Sequence, residues 1–239
     1  MSPNMDLQTA KNNNLLEATL SESFLEFIDD NAFPCVGAKA ALANGSIETH
    51  EFDMLSNPKN DQLIADGLSR FVEMLDVNED DSSTVHSYVA LFDGPFNMNE
   101  HEFESQLWSQ LWRLHKLDIK AGNSPAEDVS SDTNNPHFSL SLSGHPFFII
   151  GLHPHASRLA RRFSHPAMVF NSHRQFDKLR EDGRFEKMQA ATRARDIELQ
   201  GSINPNLADF GEASEARQYS GREVEDQWQC PYDFRRTNE

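Results

Sequence analysis

The chain holds only 2 cysteines among its 239 residues. Cys35 and Cys230 stand far apart and form no C-x-x-C pair, so a disulfide framework and a four-ligand structural zinc site both lack their residues. A reducing compartment fits. No apolar run reaches the ~18 residues a membrane-spanning helix needs. The polar opening "MSPNMDLQTAKNNN" lacks the apolar stretch of a secretion signal. The expectation is a cytoplasmic protein that does not enter a membrane. Positive charge is scarce, with 21 Lys and Arg against 38 Asp and Glu and a net charge of -17. That field repels nucleic acid and anionic lipid surfaces and favours small cations. Also missing are a G-x-G-x-x-G after a strand, a Walker loop and a G-x-S-x-G elbow. Rossmann-type dinucleotide binding, phosphoryl transfer and α/β-hydrolase chemistry lose ground together. A redox enzyme with this sequence would have to draw its electrons from a separate protein.

What is present is a chain long enough for a sizeable core, with 38% apolar residues. Residues 1–19 read as a disordered tail and 20–239 as one domain. Apolar spacing predicts a helix from a cap at Ser21 to about Asn31, and others over 61–75, from a cap at Asn99 to about Leu117, over 172–180 and over 184–199. "GSIETHEFD" (45–53), "TVHSYVALFDG" (84–94) and 167–170 read as strands. "HFSLSLSGHPFFIIGL" (137–152) reads as a hairpin turning at Ser143-Gly144-His145-Pro146, with a second strand apolar on both faces, which needs a layer above and below it. Hairpins mixed with helices give an α+β fold: one domain with a mainly antiparallel or mixed sheet flanked by helices.

Three stretches could carry chemistry. In "FPCVGAKAAL" (33–42), Cys35 precedes a helix start, where free N–H groups and the helix dipole favour a thiolate. Gly37 would let a flat ligand approach, and small alanines follow. A buried cysteine at a tight helix end explains the same residues. In "GLHPHASRLARRFSHP" (151–166), Arg158, Arg161 and Arg162 could grip carboxylates, and His153 and His155 could be metal ligands. The competing reading is a helix with a charged outer face and hydrogen-bonded histidines. In 204–232, Asp209, Glu212, Glu215 and Tyr219 could clamp a guanidinium or ammonium group. A solvated helix with internal ion pairs is the alternative.

The motifs "FPCVGAKAA", "NPHFSLSL", "GLHPHASRLARRF", "RDIELQGSINPNLADFGEASEARQYSGR" and "WQCPY" together resemble the YqcI/YcgG family over about residues 20–234. The resemblance implies a heme b enzyme that N-hydroxylates a guanidine group, in arginine or a guanidino natural-product intermediate, using O2 and electrons from an external ferredoxin or reductase. On this expectation Cys35 is the axial ligand to iron, with His153 second and Cys230 third. Gly37, Lys39, Arg158, Arg161 and Arg162 help hold the cofactor, the arginines at its propionates. Asp209, Glu212, Glu215 and Tyr219 bind the cationic substrate. A homodimer is compatible with the sequence. Two other functions stay open: a heme carrier or sensor without turnover, and a metal-free module for a small anionic ligand.

Overall fold

A computed structural model describes residues 18–77 and 84–235. The expected tail lies outside them except for Ala18 and Thr19, as does most of the acidic stretch 76–83. Among the described residues, six α-helices and five strands follow in the order α1 (Leu20–Asp29), α2 (Val36–Ala43), β1 (Ile47–Phe52), α3 (Asp61–Val77), β2 (Ser87–Phe92), α4 (Glu100–Lys120), β3 (Leu140–Leu142), β4 (His145–Leu152), β5 (Ala167–Ser172), α5 (His173–Glu181) and α6 (Phe185–Gln200). The strands form one mixed sheet in the order β1-β2-β5-β4-β3. β1 and β2 run parallel, and every other neighbouring pair is antiparallel. This is the α+β domain the sequence predicts.

Local chemistry sets the element ends. α1 starts one cap earlier than expected. Thr19, not Ser21, closes a reciprocal box with Glu22, satisfying two orphan N–H groups at once, while Ser21 donates from its backbone and hydroxyl to Glu51. Asn99 caps α4 as predicted, again with a partner glutamate, Glu102. The hairpin turn is two residues long, Ser143-Gly144, both at positive φ, the geometry that matches strand twist. His145 and Pro146 therefore belong to β4 rather than to the turn. Pro146 pairs with Ser141 and lies before the first β4–β5 pair, Phe147–Ser172, so its missing N–H asks nothing of β5.

The period-2 alternation of the central strands splits the core into two faces. Tyr88, Ala90, Phe92, Phe147, Ile149, Met168 and Phe170 face α3, α4 and an aromatic C-terminal strap ending in Phe234. Val89, Leu91, Leu152, Ala167 and Val169 face α1 and Phe163. The first face is closed by tight contact. A methyl group on Gly151 would lie 2.6 Å from Leu107 Cδ1, 2.8 Å from Phe103 Cε1 and 2.9 Å from the Tyr219 carbonyl oxygen, an oxygen that also accepts from Gly151 N–H. Because a backbone atom is among the obstacles, Gly151→Ala should cost about 2–3 kcal/mol in a urea titration, the upper range for overpacking. An unchanged midpoint would show that β4 and α4 separate easily.

Candidate functional site

The second face of the sheet does not close. Val89 of β2, Ile150 of β4 and Val169 of β5 form the floor of a cavity of about 340 Å³, walled by α1, α2 and α5 and covered by α6 and the segment 204–218. This volume suits a small-molecule site, whose usual range is about 300–1,000 Å³.

Part of the cavity wall is built on the start of α2. Cys35 is the N-cap, and its Sγ accepts from Ala38 N–H at 3.4 Å. Burial pushes the thiol up from its ordinary pKa, while the Ala38 and Gly37 N–H groups and the Arg161 guanidinium pull the other way. An anion, or a metal-bound sulfur, thus has partial compensation already in place. Arg161 donates to the carbonyls of Gly151 and Gln218, and burial lowers its pKa to about 10 against the pull of Cys35 and Asp196. Val36 N–H donates to Thr192 Oγ1 and joins α2 to α6. Gly37 lies on the wall, but the space above it is filled from α6: a Cβ there would sit 3.1 Å from Met188 Sδ.

The wall also holds a carboxylate. Glu215 is buried on the cavity wall, and Tyr219 donates its hydroxyl to Glu215 Oε1 at 2.6 Å. His173 Nε2 stands 3.8 Å from Glu215 Oε2, and its Nδ1 meets Asp177 Oδ2 at 3.1 Å. Burial raises the Glu215 pKa to about 7, against the opposing pull of His173, Tyr219, Ser139 and Arg180. Asp209 also borders the cavity, with its carboxylate engaged by Gln189 and Arg193 of α6.

Several expected site residues are employed elsewhere. Arg158 reaches the wall but is locked in a buried ion pair with Asp196 and bonds to Ser202. Arg162 is exposed and donates to the Ala156 carbonyl outside the cavity. Lys39 lies off the cavity wall, and its ammonium donates to the carbonyls of Ile28, Asp29 and Asp30 at the end of α1. His153 is not on the cavity wall. It stacks on Phe103 at 4.4 Å, and burial lowers its pKa to about 4. Glu212 is exposed, off the wall, and caps the Asp209 N–H. Tyr219 is buried behind the wall, where its hydroxyl oxygen accepts from Leu140 N–H and lies 3.1 Å from the Phe147 carbonyl oxygen. Cys230 packs against the α4 face, and burial pushes its thiol up to about 12. The sequence reading missed His173 and Asp196, although an Asp four residues after His173 on a helix was a legible hint.

The residues suit an iron porphyrin in kind. A macrocycle brings four ligands of its own and asks the protein for an axial donor, apolar walls and a cation for its acidic edge. The cavity offers the Cys35 sulfur, the floor residues and Arg161. Among the described residues no group of three His, Cys, Asp or Glu is placed to hold a bare metal ion. No helix among them is long and apolar enough to cross a membrane.

Sheet, roof and cavity define a three-layer α+β domain enclosing a small-molecule-sized site with a thiol and a buried carboxylate on its walls. The chain belongs to the YqcI/YcgG family, which matches residues 24–233. No curated protein and no solved structure matches it.

Proposed function

We propose that this protein is a heme-dependent oxygenase that N-hydroxylates a guanidine group. The observation that carries the reading is the placement of Cys35 and Glu215 on the walls of one apolar cavity, where one would give a sulfur donor for iron and the other an anion for a cationic substrate. Cys35 would hold the iron, and Arg161 would face an anionic edge of the macrocycle. When bound, the heme supplies the dioxygen site and the redox chemistry. Glu215 would fix the guanidinium through its carboxylate, held in place by Tyr219 from behind. Apolar walls exclude water, which strengthens that charge pairing. The balance requires one O2, two electrons from a separate donor protein and two protons, giving one N–OH and one water.

The test begins with purified protein supplied with heme. A strong Soret band is expected, shifted or lost in Cys35→Ser, and a one-oxygen mass gain on L-arginine or another guanidine when a reductant and O2 are present. Protein that stays colourless with ample heme overturns the reading. Turnover without heme would do so too. A second reading, a cation-binding module without iron, is favoured by the raised pKa of the Cys35 thiol. Iron analysis of the purified protein separates the two.

A further inference from the structure

The contacts of His173 fix where its protons are. Asp177 is held below the usual carboxylate range: burial opposes this, but His173 and Arg180 outweigh it. An ionised carboxylate can only accept, so Nδ1 of His173 carries a proton. In a neutral ring Nε2 is then bare. It is buried, has no hydrogen-bond partner, and faces Glu215 Oε2 across 3.8 Å. Two lone pairs facing each other inside an apolar wall repel. The arrangement is stable only when one more proton sits on the pair, on Nε2 or on Oε2.

Glu215 faces His173, Tyr219, Ser139 and Arg180. His173 faces Asp177, Glu215 and the ring of Phe210 at 4.3 Å, and His145 of β4 lies within electrostatic reach. The route outward is also built, because the Asp177 side chain is 44% exposed while His173 is 3% exposed.

We propose that the His173–Glu215 pair is the specificity-determining element of the cavity: it stores one proton, and a cationic ligand seated against Glu215 expels that proton through His173 and Asp177. The bond that breaks is Nε2–H or Oε2–H, and buffer takes the proton. The cation replaces its charge, so the wall keeps the same net charge with and without ligand. A neutral isostere expels nothing and leaves the stored proton in its way, which is how the site tells guanidinium from urea-like groups. This deepens the proposed function and rests on its placing of the substrate cation at Glu215.

The experiment is isothermal titration of the purified protein, heme-loaded where it loads, in two buffers of different ionisation enthalpy. The probes are L-arginine, agmatine and guanidinium, with L-citrulline as the uncharged control. Near pH 6 about one proton should be released per cation bound, falling to a small fraction by pH 8, and citrulline should release none. In Asp177→Asn the amide can donate to Nδ1, which turns the imidazole so that Nε2–H points at an ionised Glu215. Cation binding should then persist without buffer-dependent heat. If all three cations fail to bind, the placing of the substrate fails and this inference with it. Binding without proton release in the native protein overturns the inference alone, as does undiminished release in Asp177→Asn.

Discussion

Glu215→Gln should weaken binding of a guanidinium ligand by about 100-fold or more, on the scale of 2–5 kcal/mol for removing one member of a buried charge pair. The glutamine keeps a carbonyl oxygen for the Tyr219 hydroxyl and nearly the same volume, so packing is preserved and the charge alone is lost. The same variant carries a stability signature whose sign is fixed. The folded carboxyl titrates at about 7 against an ordinary 4.5, so between these values the unfolded chain has released a proton that the folded chain keeps. Stability then falls as pH rises through that window, by roughly 3 kcal/mol in total, and stays lower above it. Glu215→Gln removes that fall. It should be more stable than the native protein at pH 8 and gain little near pH 4.5. Urea midpoints at the two pH values, together with calorimetric binding of L-arginine, check both parts. A variant that binds as tightly as the native protein would remove Glu215 from the site.

Arg158→Ala is expected to destabilise the protein by about 3–5 kcal/mol, because it strands Asp196 as an unpaired charge in a buried position. Both side chains are largely shielded, at 9% and 12% exposure. Their contact ties the turn at Leu159–Arg161 to α6, the helix that covers the cavity. The double variant Arg158→Met with Asp196→Leu should recover most of the loss, since an apolar pair of similar volume leaves no charge behind. Midpoints of urea unfolding with an unchanged slope give the comparison. The alternative is equally definite. If Arg158 were a propionate clamp, as its place in the arginine-rich motif suggests, the single variant would keep its stability and lose heme.

That contrast marks how far the sequence reaches. The order of helices and strands, the Asn99 cap and the two-faced central strands follow from spacing and composition, because period and capping are local properties. Cys35 at the head of α2 was legible for the same reason, and of the acidic residues singled out in 204–232, Glu215 and Asp209 reach the cavity. Three arginines in one motif looked interchangeable. The fold gives them separate partners: Asp196 for Arg158, two main-chain carbonyls for Arg161 and the Ala156 carbonyl for Arg162. His153 and Tyr219 both lie off the cavity wall, His153 stacked on Phe103 and Tyr219 hydrogen-bonded in the core, a placement that motif membership does not reveal.

By itself the sequence determined the class of fold, the two-sided burial of the central strands and the helix-capping place of Cys35, all set by residues within a few positions of one another. Only the tertiary structure decided that Cys35 and Glu215, 180 positions apart, share one cavity, that Met188 fills the space above Gly37, and that His173 faces Glu215. Those relations depend on how α6 and the 204–218 segment return over the sheet, and charge pairing between distant segments has no period for a sequence to show.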